Sequence, residues 1–165
     1  MASTREIAAL RERVLVVVRR LAFLGPTLAR ITVGIVFLQT GWGKLHDLPR
    51  VIDFFTELHI PLPEFQARLV ACTEFVGGLA MLFGLGTRFA AVPLSVTMVV
   101  AICTAKRGDL EGISSLVGFE EWSYLVFFIW LALAGAGPIS LDYLIARRLE
   151  QANPKPNKTE TETGE

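Results

Sequence analysis

Long apolar runs, separated by short charged segments, organise this chain. Four stand out: residues 25–43, with Arg30 as the only charge; residues 69–86, with only Glu74; and residues 89–105 and 122–139, with none. Each spans 17–19 residues. At about 1.5 Å per helical residue, and with help from flanking positions, that length crosses a hydrocarbon core of about 30 Å. Four unbroken runs leave no polar face for water, which sets a soluble helical protein aside. The pattern predicts an all-α membrane protein with four transmembrane helices in an antiparallel bundle.

The segments between the runs carry their own patterns. Residues 1–20 place Ile7, Leu10, Val14 and Val17 on one helical face among arginines, which predicts a basic amphipathic helix on the membrane surface. Gly25-Pro26 marks its junction with the first span. The first span is long, contains Arg30 and lacks a following small-x-small cleavage site, so it is read as a retained helix rather than a signal peptide. In the first loop, residues 44–64, Asp47 is a candidate N-cap. Leu48, Val51, Ile52, Phe55 and Leu58 follow on one face, and Pro61 and Pro63 are expected to end the helix. A short interfacial helix across the mouth of the bundle is the expectation. The link at residues 84–88 is short enough to make the second and third spans a hairpin. Residues 106–121 read as a polar loop. Residues 149–165 have no apolar anchor and read as a disordered tail. The chain therefore divides into residues 1–20, a membrane domain over 21–148, and the tail.

Composition agrees with a membrane setting. The mean hydropathy is +0.49. Charged residues make up 19% of the chain, below the roughly 25% of soluble domains. The formal net charge is zero, which gives nucleic acid no electrostatic footprint. No GxxxxGK[ST], HExxH or CxxC motif occurs. With four spans both termini share one side. That side carries ten Lys/Arg residues against five on the other, which predicts cytoplasmic termini in a bacterial inner membrane. Trp42 and Trp122 then fall at the outer interface.

The candidate chemistry lies in the few polar groups of the spans. A carboxylate such as Glu74 costs about 2.5–3.5 kcal/mol to insert and is a functional-site candidate by default. Counting residues from the hairpin turn puts Glu74 within reach of Lys44, with His46 beside it. Arg30, Arg88 and Asp142 fall at the opposite ends of their spans and are expected to form an ion-pair cluster. Cys72 and Cys103 come to similar depth on the hairpin, near Glu74. They read either as a thiol pair, with Glu74 exchanging protons, or as two small core residues. Gly34 with Gly41, and Gly77 with Gly84, recur at seven-residue spacing and suit close helix packing. His46 and His59 alone do not make a metal site, and none is expected.

Three motifs resemble the DoxX family of bacterial inner-membrane proteins. They are Arg30-x3-Gly34-x2-Phe37-x3-Gly41-x2-Lys44-Leu45, Glu74-x2-Gly77-Gly78-x5-Gly84-x2-Thr87-Arg88, and Gly135-x-Gly137-Pro138-x-Ser140-Leu141-Asp142. The resemblance covers about residues 25–145. It implies a four-helix membrane protein related to quinone-reducing subunits of thiosulfate oxidation and to thiol and oxidative-stress complexes. The family's recurring polar residues fall here on Arg30, Lys44, Glu74, Arg88 and Asp142; the cysteines gain little from it. The leading expectation is a component of a quinone- or thiol-linked membrane oxidoreductase, with Glu74, Lys44, Cys72 and Cys103 as catalytic candidates and a quinone as candidate cofactor. The alternatives are a non-enzymatic scaffold or assembly factor, and a small-solute or proton pathway, although no inverted repeat is visible. The partners expected are the bilayer, membrane or peripheral proteins, and a second copy of the chain.

Overall fold

The computed structural model describes residues 4–152, with side chains from residue 10 onward; the termini outside that range, including most of the expected tail, lie outside the described residues. It is all helical. The helices are α1 (Thr4–Leu21), α2 (Leu24–His46), α3 (Leu48–Glu57), α4 (Pro63–Phe83), α5 (Thr87–Cys103), α6 (Ile113–Gly118), α7 (Glu120–Ala134) and α8 (Leu141–Ala152), with one 3-10 turn at Arg107–Asp109. Two helical stretches, Leu10–His46 and Pro63–Phe83, are long and apolar enough to cross a membrane, and Thr87–Cys103 is a shorter apolar helix. The fourth expected span is cut short. α7 stops at Ala134, because Gly135 and Gly137 adopt left-handed φ values of 82° and 77° and Pro138 follows.

α2 packs along α4, α4 on α5, α5 on α7, and α7 returns to α2, while α3 rests on α4. The α2–α4 seam depends on small residues. A Cβ at Gly41 would lie 2.7 Å from the Cα of Phe75, and one at Gly78 would lie 2.9 Å from the Cα of Leu38. Both contacts are with backbone, so no side chain there can move aside. The expected roles of Gly34 and Gly41 agree with this, since a Cβ at Gly34 would also strike α4 backbone. The partner glycine on α4 is Gly78, which the seven-residue spacing missed. Gly77 instead admits Leu94 of α5, and Gly84 lies beyond α4 as a left-handed cap with φ 67°. The buried core between the helices consists of Val33, Phe37, Met81, Ala91, Leu94, Met98, Phe128 and Leu131.

Several loops depart from the sequence expectation. α3 forms as expected, but Asp47 makes no side-chain cap hydrogen bond. Nor do the prolines end α3. Its last turn closes at Leu58, the chain reverses through His59 and Leu62 at φ 55° and 52°, and Pro63 opens α4. Pro is well placed at a helix start, where its missing N–H leaves no bond unmade. The loop expected at 106–121 contains α6. The expected tail boundary at 149 falls inside α8. Leu141, Leu144, Ile145 and Leu149 keep helical spacing there, and Asp142 sits in the first turn.

Candidate functional site

Glu74 is 3% exposed on a helix that has no other charge between Leu69 and its C-terminus. Its Oε1 accepts a hydrogen bond from Lys44 Nζ at 2.5 Å. The lysine arrives from the last turn of α2. Its side chain is 32% exposed against 4% for that of Glu74, so the carboxylate is the buried partner. Close passage of the two helices at Gly41, whose Cβ would strike the Phe75 backbone next to Glu74, allows this reach. The second carboxylate oxygen, Oε2, is buried and has no hydrogen-bond partner.

Both residues stand in the wall of a cavity of about 1,080 Å3 bounded by α2, α3, α4, α5 and α7. On α2 the lining residues are Val36, Phe37, Thr40 and Lys44; on α4 they include Gln66, Val70 and Thr73 besides Glu74. Pro93, Val96, Thr97 and Met98 of α5 and Tyr124 of α7 contribute further wall. Phe37 meets Tyr124 edge-on, with ring centroids 5.3 Å apart, and Phe128 at 4.9 Å. Val51, Phe54 and Phe55 of α3 line the Lys44 end, where Arg50, Lys106, Glu120 and Glu121 form a charged rim. Lys106 stands 4.0 Å from Glu121. A largely apolar pocket with a few convergent polar groups suits an apolar molecule with a polar head. Phe37, Thr40 and Lys44 recur at i, i+3 and i+7, so this face of α2 was open to sequence reading once Lys44 was singled out. Tyr124 and Pro93 gave no such signal.

The expected partnership of His46 with Glu74 is not formed. His46 Nδ1 lies 3.0 Å from the Trp42 carbonyl oxygen, and its ring packs on Trp42 with centroids 4.1 Å apart. His59 is exposed in the α3–α4 turn. The cysteines do not pair either. Both are free and exposed. Cys72 precedes Glu74 by two residues on α4, a rotation of about 200° at 3.6 residues per turn, which puts thiol and carboxylate on opposite faces. Cys103 ends α5, facing outward. Cys72→Ala and Cys103→Ala, singly or together, are expected to shift stability by less than about 0.5 kcal/mol, as for exposed substitutions generally. Thermal unfolding of the purified protein in detergent checks this; a larger loss would mean that a thiol is structural.

Arg30, Arg88 and Asp142 converge at the opposite end, but among the described residues no ion pair within 4.0 Å joins them. Their partners are backbone groups instead. Arg30, 3% exposed, donates to the carbonyls of Ala136 at 2.8 Å and Ile139 at 2.6 Å. The Asp142 carboxylate accepts from the N–H groups of Gly86 at 2.7 Å and Thr87 at 3.2 Å, and its own N–H donates to the Gly84 carbonyl at 3.0 Å. It thus caps the start of α5 from 55 residues away. Arg88 is exposed. Its guanidinium lies over Gly135, where a Cβ would come within 3.1 Å of Nε, at the edge of a smaller cavity of about 350 Å3. Helix ends without internal partners and irregular segments at membrane depth need such donors and acceptors. Through these bonds the cluster clasps two turns.

Comparison with known proteins agrees with the motifs. The DoxX family model matches residues 25–107. CatD of Bacillus subtilis, provisionally named an oxidoreductase, is 33% identical over 132 residues, covering 79% of this chain and 93% of the relative. The inner membrane protein YqjF of Escherichia coli is 30% identical over 130 residues, 79% of this chain and 98% of that protein. An uncharacterised membrane protein of Mycobacterium tuberculosis, Rv3486, is 35% identical over 130 residues, 72% of this chain and 80% of its own. No solved structure matches the chain.

Proposed function

Because the chain belongs to the DoxX family of membrane proteins, we propose that it is the quinone-binding component of an inner-membrane oxidoreductase, with Glu74 as its proton carrier. The observation that carries this reading is the buried Glu74 Oε2, which lacks a hydrogen-bond partner beside Lys44 in the wall of a large apolar cavity. An ionisable group kept in such surroundings marks a ligand or proton path more often than a stabilising device. A quinone supplies a carbonyl acceptor that becomes a hydroxyl donor on reduction, and the two residues suit both states. Lys44 has three donors and uses one on Glu74, so another is free for a carbonyl oxygen. Oε2 accepts from a hydroxyl when ionised and donates when protonated. Phe37 and Tyr124 offer ring faces or edges to a flat molecule. The name of CatD supports the oxidoreductase assignment. Electrons are passed by a partner protein at the charged rim.

In this reading α2, α4, α5 and α7 are the four membrane spans. The 15-residue α7 is completed by residues 135–140, two of whose carbonyls Arg30 satisfies. α1 and α8 lie on the cytoplasmic surface, and α3 lies across the outer mouth. A non-enzymatic scaffold is the second reading. It draws on the clasp around Arg30 and Asp142, whose side chains bond backbone groups of two turns.

Titration with a tail-less benzoquinone, followed by tryptophan fluorescence in lipid nanodiscs, tests the proposal. Wild type should bind saturably. Lys44→Met should bind at least about tenfold more weakly, as expected for loss of a charged hydrogen bond worth about 1.5–3 kcal/mol. No saturable binding, or equal binding by the variant, would favour the scaffold.

A further inference from the structure

The cavity is larger than a ring needs. Small-ligand pockets commonly run from roughly 300 to 1,000 Å3, and this one reaches about 1,080 Å3. Along α5 its lining extends from Val92 to Ala101, about 14 Å at 1.5 Å per residue, and continues past the helix end to Lys106. The polar atoms near Glu74 take up only part of that length. The rest is lined mainly by valine, leucine and phenylalanine side chains.

The sides of the cavity are not equally closed. On the α2–α7 side Phe37 and Tyr124 meet edge-on. At the Lys44 end α3 contributes Val51 and Phe55, with the half-exposed Phe54 beside the charged rim. The α4–α5 side differs. These helices meet deep in the fold, where Leu94 fills the notch at Gly77. On either side of that contact the wall residues Leu69, Val92, Val96 and Val100 are at once cavity lining and 44–58% exposed. Wall residues this exposed mark where the cavity is least closed. All four are apolar, so the opening suits hydrocarbon rather than water.

We infer that the seam between α4 and α5 is a lateral portal, through which a long-tailed amphiphile enters from the bilayer and along which its tail lies while the head reaches Lys44 and Glu74. The inference rests on the proposed quinone reading and adds to it the tail, its path and the residues that shape it. It makes the ligand a membrane-dissolved lipid, taken from the bilayer core without crossing water. The charged rim at Arg50, Lys106 and Glu121 is left for proteins or protons.

The test compares two probes in phosphatidylcholine nanodiscs: 2,3-dimethoxy-5-methyl-1,4-benzoquinone, which has no tail, and its 6-decyl derivative. Val92→Phe/Val96→Phe narrows the portal at two exposed positions, leaving the buried core residues in place. Val76→Phe, on an equally exposed face of α4 outside the cavity, is the control. The double variant should bind the decyl quinone at least tenfold more weakly than wild type, with a markedly smaller loss for the tail-less probe; the control should change neither. A Val96→Cys protein with Cys72 and Cys103 changed to Ser, alkylated after folding with a bulky maleimide, should give the same split even if the phenylalanine variant does not accumulate. Equal effects on both probes, or no effect on the decyl quinone, would overturn the portal while the quinone site stands. Failure of wild type to bind either probe would overturn the quinone reading and the portal together.

Discussion

Glu74→Gln is expected to lower quinone turnover by roughly 10²–10⁴-fold, the usual contribution of a positioned acid or base, while the protein still accumulates and folds. Glutamine keeps the shape of the side chain and an acceptor for Lys44, but it cannot take up or release a proton. The exposures of the pair explain why the fold should survive. The ammonium left without its counter-ion is the partly exposed member, at 32%, and its four-carbon stem lets it turn toward the rim. Removing a partner from a fully buried pair costs about 3–5 kcal/mol, and Lys44 escapes most of that penalty. The readout is quinol oxidation or quinone reduction by native membranes, beside thermal unfolding of the purified variant. If turnover persists and the melting temperature falls, Glu74 is a structural lock and the scaffold reading prevails.

Arg30→Met should produce the reverse pattern: a large loss of stability and no change in ligand affinity. Arg30 is 3% exposed and holds the carbonyls of Ala136 and Ile139 through two separate nitrogens. Leaving the buried Ala136 carbonyl and the partly buried Ile139 carbonyl without donors costs at most about 1–3 kcal/mol each, so up to roughly 6 kcal/mol in all. Arg30→Lys should recover only part of this, because an ammonium lacks the planar fork that spans both carbonyls. None of the residues lining the larger cavity is Arg30, so benzoquinone affinity in the surviving folded fraction should match wild type. Denaturant unfolding in detergent checks the first point and nanodisc titration the second. A loss below about 0.5 kcal/mol, the size of an ordinary surface change, would mean that the irregular segment holds itself.

These expectations show which interactions the amino-acid pattern reveals. Glu74 with Lys44 was legible because a lone carboxylate in an apolar run demands a cation, and counting along helices gives depth. The same count failed for Arg30 and Asp142. Opposite charges at similar depth suggest an ion pair, but both groups serve backbone atoms, which side-chain sequence does not display. For Arg30 the demand arises from Gly135 and Gly137, whose left-handed φ values break α7 before its apolar run ends, and for Asp142 from the turn between α4 and α5. Composition continued past that break and so overran the helix. Depth also brought Cys72 to Glu74, whereas rotation about the α4 axis set them on opposite faces. α8 was hidden because its charges outweigh its apolar stripe.

The capping of α5 by Asp142 also bears on biosynthesis. A chain made from its N-terminus presents the α4–α5 turn well before residue 142 exists, so through that interval the first N–H groups of α5 wait for a partner that the ribosome has not yet made. Contacts so distant in sequence form late and slowly. The turn between α4 and α5 is therefore left uncapped until α8 has been made, and a chain interrupted before Asp142 carries that turn without its cap.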